Sequence, residues 1–229
     1  MIAAWERGLT QHPLDRALTL ASLAQPEASW SDLMSLPIGR RDAQLLSLHE
    51  AMFGGRLSAA ADCPACSEPL EFQITTRQLM NELRTDDQPN AVHEIELGAR
   101  RLRVRVLDSR DLAEAAGADS EDEARARLIA RCLVDGPVQL TDEECAALSA
   151  RLLELDPGAE ILLKLDCPAC HHSWRSPFDT AAFVWSEVAA EARRLLLQVH
   201  ELARAYHWSE SAILEMSPQR RGYYLALVA

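Results

Sequence analysis

The run "DCPAC" occurs twice, at 62–66 and at 166–170, and each copy borders a stretch of alternating apolar residues. No other feature restricts the fold as much. A Cys-x-x-Cys turn holds two thiols at one bend, and two such turns must either act separately or be brought together. The first copy is followed by Ser67, the second by His171 and His172.

Three chemistries use such a pair. Covalent haem attachment needs Cys-x-x-Cys-His, which only Cys167, Cys170 and His171 supply, and it matures outside the cytoplasm. The opening "MIAAWERGLT" has no basic region followed by an apolar stretch and does not read as a secretory signal. The expected compartment is therefore the cytoplasm, where thiols stay reduced. A redox dithiol needs a thiol of lowered pKa at a helix N-terminus within a βαβ unit. Here polar residues and a short strand follow each pair, and a second copy would have no purpose.

A structural zinc ion accounts for both copies, with Cys63, Cys66, Cys167 and Cys170 as its four ligands. Four thiolates fill a tetrahedral shell and leave no position open to a substrate. Pro64 and Pro168 stiffen the two turns. Cys66 and Cys167 are 101 positions apart, far more than zinc ribbons usually enclose, so an insert has to leave and return. Loop-closure entropy grows only logarithmically with length, so that separation is tolerable. An arrangement in which each pair binds its own metal with His171 or His172 stays open. Cys132 in "ARLIARCLV" and Cys145 in "TDEECAALSARL" have helical apolar spacing and read as small buried hydrophobes.

Around these turns the sequence reads as α+β: helical N- and C-terminal parts around a zinc-ribbon-like pair of β-hairpins, with an α/β insert between the knuckles. The parts are 1–55 (helical), 56–76 and 159–178 (cysteine hairpins), 77–158 (inserted hairpin plus helices) and 179–229 (helical). Pro13 starts a helix in "HPLDRALTLASLA", a short helix in "SWSDLMSL" stops at Pro37, and Gly54-Gly55 closes the next one. Leu70, Phe72 and Ile74 alternate as in a strand. In the insert, Ile95 and Leu97, then Leu102, Val104 and Val106, predict a hairpin whose wet face carries Arg101, Arg103 and Arg105. Ser120 with Glu123 and Thr141 with Glu144 predict capping boxes on two following helices. The segment 180–206 is a long amphipathic helix, "WSESAILEM" a short one, and Ser217-Pro218 starts the last. The two cysteine hairpins are alike enough to predict pairing about an approximate twofold.

Composition narrows function by exclusion. The 229 residues are 48% apolar and carry a formal charge of −12, from 35 acidic and 23 basic side chains. That surface repels phosphate backbones and anionic lipid. No apolar run reaches the roughly 18 residues of a spanning helix. There is no phosphate-cradling glycine loop, no Gly-x-Ser-x-Gly and no His-Glu-x-x-His, and His49, His93, His200 and His207 are scattered. The expectation is a protein that is not an enzyme. A nucleic-acid-binding zinc ribbon is the main rival, supported by Arg101, Arg103 and Arg105 with Arg220 and Arg221. No aromatics interleave with that arginine strip.

The C-terminal run "LLLQVHELARAYHWSESAILEMSPQRRGYYLALV" resembles the tail of the baseplate hub and hub-assembly chaperone proteins of T-even-type contractile phages, relatives of which occur in contractile injection systems. The shared features are a long helix, an aromatic followed by Ser, then Pro, paired arginines and aromatics. "LPIGRRDAQLLSLHEAMFG" followed by a Cys-x-x-Cys strand resembles the front half of that family. The resemblance implies a non-enzymatic baseplate component or assembly chaperone. Its partners would be hub, spike or other baseplate subunits, and it could be incorporated into a tail-like particle. Tyrosine and arginine are frequent interface anchors, which marks Arg220, Arg221, Tyr223 and Tyr224 as candidate partner-binding residues.

Overall fold

In this computed structural model, residues 1–82, 91–98, 100–136 and 138–228 are described. The elements run α1 (Ile2–Gly8), α2 (Pro13–Ala24), α3 (Trp30–Met34), α4 (Ile38–Phe53), β1 (Arg56–Asp62), β2 (Pro69–Thr75) and α5 (Thr76–Glu82). The insert continues with β3 (His93–Leu97), β4 (Arg100–Val104), α6 (Ser109–Ala116), α7 (Glu121–Cys132) and α8 (Asp142–Leu155). A 3-10 turn (Pro157–Ala159) leads to β5 (Leu162–Asp166), β6 (Ser173–Pro177), α9 (Thr180–Tyr206), α10 (Glu210–Leu214) and α11 (Pro218–Val228). The chain is thus mixed α+β, mostly helical, with three separate two-stranded antiparallel sheets. It divides into two compact units: Met1–Thr10 with Trp185–Ala229, and Gln11–Val184.

Local chemistry accounts for most element ends in the larger unit. Pro13 occupies the first turn of α2, where its missing N–H costs nothing, and Gly54 closes α4 at φ 92°. The Thr141–Glu144 capping box at α8 forms in full. At α7 only half of the expected box forms. Ser120 accepts from the Glu123 N–H, but the Glu123 carboxylate takes the Asp119 N–H and Arg127 instead. Gly98, at φ 59°, turns the β3–β4 hairpin.

Two apolar clusters hold this unit. Leu46, Leu57, Leu79 and Ile161 bring together α4, β1, α5 and the entry to β5. The insert has its own core, where Ile95, Leu97, Leu102 and Val104 of the hairpin pack with Cys132, Leu133 and Leu148. Each fully buried aliphatic of this size contributes roughly 1.5–3 kcal/mol. Strand β4 ends at Val104 and Val106 does not continue it, because the edge next pairs elsewhere. The Arg105 N–H donates to Cys132 O and the Val134 N–H to Arg103 O.

A buried ionic network joins the segment just after β4 to α6 and α7. Asp111, 0% exposed, accepts two hydrogen bonds from Arg105 (2.7 and 2.8 Å) and one from Arg131 Nε (2.6 Å). Asp111 also closes a capping box with Asp108 at the start of α6. Arg105 therefore does not belong to the wet face of the hairpin, where the alternation had put it.

The smaller unit contains α1, most of α9, α10 and α11. Gly8 lies under the Trp185 ring so closely that an added Cβ would come 2.1 Å from the indole. Gly8→Ala is expected to destabilise the protein by about 1–3 kcal/mol, as overpacking usually does. Thermal unfolding measures it, and an unchanged melting temperature would show that the indole is free to move. Arg221, only 7% exposed, donates to Gln198 Oε1 (3.1 Å) and Met216 O (2.6 Å), tying α11 to α9 and to the end of α10.

Candidate metal centre

Each cysteine pair lies in a six-residue loop between paired strands. Asp62 pairs with Pro69 at the neck of the first hairpin, and Asp166 with Ser173 at the neck of the second. The loops then repeat one hydrogen-bond pattern. The Cys63 N–H donates to Glu68 O (3.0 Å) and the Ser67 N–H to Cys63 O (2.8 Å). In the second loop the Cys167 N–H donates to His172 O (2.9 Å) and the His171 N–H to Cys167 O (3.0 Å). Ser67 and His171, each directly after its second cysteine, take left-handed backbone at φ 59° and 58°. That conformation costs a residue with a Cβ about 1–2 kcal/mol. It persists twice because it turns the chain tightly enough to point both thiols of a pair to one side.

The two loops meet at their thiols. Cys63 Sγ is 3.7 Å from Cys170 Sγ, and Cys66 Sγ is 3.6 Å from Cys167 Sγ. Exchanging the two copies maps one contact onto the other. All four sulfurs lie within 4.8 Å of one another, a group that can hold a metal ion. All six cysteines are free thiols, and these separations are far beyond a disulfide's roughly 2 Å. Cys63 and Cys167 are buried, whereas Cys66 and Cys170 face solvent.

Backbone amides favour negative charge here. N–H groups of Cys170 and Ala169, with thiol neighbours, bring Cys167 down to about 7 against the pull of burial. The Glu68 N–H acts the same way on Cys66, but hydrogen bonds among the crowded thiols and burial outweigh it and push Cys66 up to about 12. Cys170 is likewise raised, although the His172 N–H draws it down. Thiols placed this close cannot all ionise alone. A cation among them would reverse that balance.

The histidines stand apart from the cluster. Among the described residues, the group able to hold a metal consists of the four cysteines alone. His172 is exposed and stacks on Trp174, with ring centroids 6.1 Å apart and planes 11° apart. Cys132 is fully buried against the insert core, where burial raises its thiol to about 11. Cys145 is only partly covered, so the sequence expectation of a buried residue overstates its burial.

The remaining candidates divide. Arg101 pairs with Glu96, Arg103 with Asp135 and Arg105 with Asp111, so each arginine of the strip has a carboxylate partner. At the C-terminus Arg220 is exposed, Tyr223 is 68% exposed, and Tyr224 is half-buried against Trp208 (4.9 Å) and Tyr206 (5.6 Å). Arg221 is turned inward, and its guanidinium is committed to the helix junction described above. Among the described residues no helix is long and apolar enough to cross a membrane.

Fold and site together define an α+β chain with a four-cysteine cluster, built from two hairpin loops, that can hold a metal ion. No protein-family model, no curated protein and no solved structure matches it.

Proposed function

We propose that this protein is a non-enzymatic structural or assembly component of a contractile, phage-tail-like particle, whose fold is clamped by one structural zinc ion. The observation that carries the zinc reading is the spacing of the sulfurs. A tetrahedron with Zn–S bonds of about 2.3 Å has edges of about 3.8 Å, and the contacts between the two loops measure 3.7 and 3.6 Å. The paired loops then form a zinc-ribbon-like centre with every position filled by sulfur. Such a zinc ion holds the hairpins together and has no site for a substrate. Elemental analysis of the purified protein tests this, with about one equivalent of zinc per chain expected. Metal-free protein with a full set of free thiols at unchanged stability would remove the zinc from the account. A disulfide after mild oxidation, with no metal retained, would favour dithiol chemistry.

The assembly reading rests on the resemblance of the C-terminal segment and on what that segment leaves exposed. Arg220 and Tyr223 are available to a baseplate, hub or spike subunit, and Tyr224 supports them from an aromatic stack. Arg221 holds α11 in position for that contact. Co-expression with a candidate hub or spike subunit is expected to give copurification. Arg220→Glu with Tyr223→Ala should abolish it while the melting temperature stays within a degree or two. Arg221→Met should instead lower stability by about 1–3 kcal/mol, because the carbonyls at the end of α10 lose their donor. Undiminished copurification of the first variant would take this face out of the interface. Salt-dependent DNA binding by the purified protein would revive the nucleic-acid reading.

A further inference from the structure

Within the unit Gln11–Val184, a cleft of about 680 Å³ lies among α7, α8 and the segment leading into α6. Leu107, Leu112, Leu128, Ile129, Leu152 and Leu153 make its apolar wall. Most are half-buried and Leu153 is 38% exposed, so the cleft interrupts the surface instead of closing over as core. Its volume is in the range of ligand-binding clefts.

The polar lining is unbalanced. Glu121, Asp122, Glu160 and Asp156 line the cleft, against Arg125 as the one base. Among the described residues, none of Glu121, Asp122 and Glu160 has an ion pair or accepts a side-chain hydrogen bond. Elsewhere in the insert Asp108, Asp111, Glu123 and Asp135 are engaged by arginines. Asp156 is 2% exposed. Its Oδ2 accepts the Gly39 N–H at 3.0 Å, while Oδ1 accepts nothing among the described residues. Burial works against charge on this group and raises its pKa. An apolar cleft edged by unpaired carboxylates favours apolar ligands that carry positive charge and disfavours anions.

We infer that this cleft docks a basic amphipathic segment of a partner protein, most simply a helix laying two or three aliphatic side chains against Leu128, Leu152 and Leu153 while its lysines or arginines meet Glu121, Asp122 and Glu160. Two helices with an apolar trough between them are the usual setting for a helix in a groove. The inference is independent of the zinc centre and of the C-terminal face.

The test uses the full chain and three labelled 14-residue peptides read by fluorescence anisotropy. One is a Leu/Lys helix with its leucines on one face, one has the same composition scrambled, and one has Glu in place of Lys. The first should bind, with affinity falling as salt rises. The scrambled peptide should bind at least tenfold more weakly and the acidic one not at all. Leu153→Lys, and separately Glu121→Lys with Asp122→Lys, should each weaken the first peptide at least tenfold. Glu6→Lys with Glu201→Lys makes the same charge change in the other unit and should have little effect. Both surface changes lie at exposed positions, so if Leu153→Lys fails to fold the double variant still decides. Equal binding of the scrambled peptide, or an equal loss in the Glu6/Glu201 variant, would reduce the effect to overall charge and overturn the inference. So would a neutral apolar dye that occupies the cleft without competing with the peptide. A concentration-dependent dimer abolished by Leu153→Lys would assign the cleft to a second copy of this chain instead.

Discussion

Replacing Cys167 by Ser is expected to empty the metal centre and lower the melting temperature by roughly 10 °C or more. Cys63→Ser should do the same, because a site built from two loops loses its purpose when either fails. The physical basis is that a site absent from the unfolded chain turns its binding free energy into folding free energy. In a chain of this size each kcal/mol moves the melting temperature by about 2–4 °C. A strong chelator should reproduce the loss in the unaltered protein. Cys132→Ala and Cys145→Ala serve as controls, since neither sulfur belongs to the cluster, and both should keep the full equivalent. Metal retained by Cys63→Ser would mean that the second loop binds alone, a different site from the one drawn from these distances.

Asp111→Ala is expected to cost about 3–5 kcal/mol, the usual penalty for removing one partner from a buried ion pair. Asp111 is fully buried and receives Arg105 and Arg131, and its loss leaves the Arg105 guanidinium beside the insert core with Asp108, 3.6 Å away, as its remaining carboxylate among the described residues. Its pKa gives a second readout. Burial pushes the carboxyl up, but hydrogen bonds from Arg105, the Asp108 N–H and Arg131 outweigh it and hold the pKa below the ordinary value of 3.8. The folded state therefore binds this proton less readily than the unfolded chain does. The resulting stabilisation is present above pH 4 and is lost as the pH falls through the lowered folded value. Urea unfolding between pH 2 and 6 should show that loss in the unaltered protein and a flatter profile in Asp111→Ala. Parallel profiles would place the acid sensitivity elsewhere.

What could be read from the sequence was what short-range chemistry determines. Two identical cysteine turns beside alternating residues announce two equivalent loops, and Thr141 with Glu144 announces a helix start, because the groups involved are neighbours in the chain. The network around Asp111 was not legible. Asp108 caps α6 with another aspartate at the third position, a box easily passed over in "LDSRDL", and Arg105 looks like its neighbours Arg101 and Arg103 until its partner 6 residues on is folded against it. Arg220 and Arg221 make the same point. Adjacent in sequence and identical in type, they part on α11, one to solvent and one to the carbonyl of Met216. The helical period separates them, and only the neighbouring helices determine which one turns inward.

The placement of the four thiols also has a consequence for synthesis. Cys66 and Cys167 are 101 positions apart, and a ribosome adding about 5–20 residues per second needs roughly 5–20 s to pass from one to the other. For an interval of that length the emerged first loop has two thiols and no partner, while the inserted hairpin and its helices, which own a separate core, become free to fold. The nascent chain is thus expected to assemble from the inside of its insert outward, with the second loop arriving last to close the centre. A metal held by the cluster would be needed at that moment of closure, and its scarcity would be felt first by newly made chains, whose waiting cysteine pair is open to capture by oxidants or by another metal.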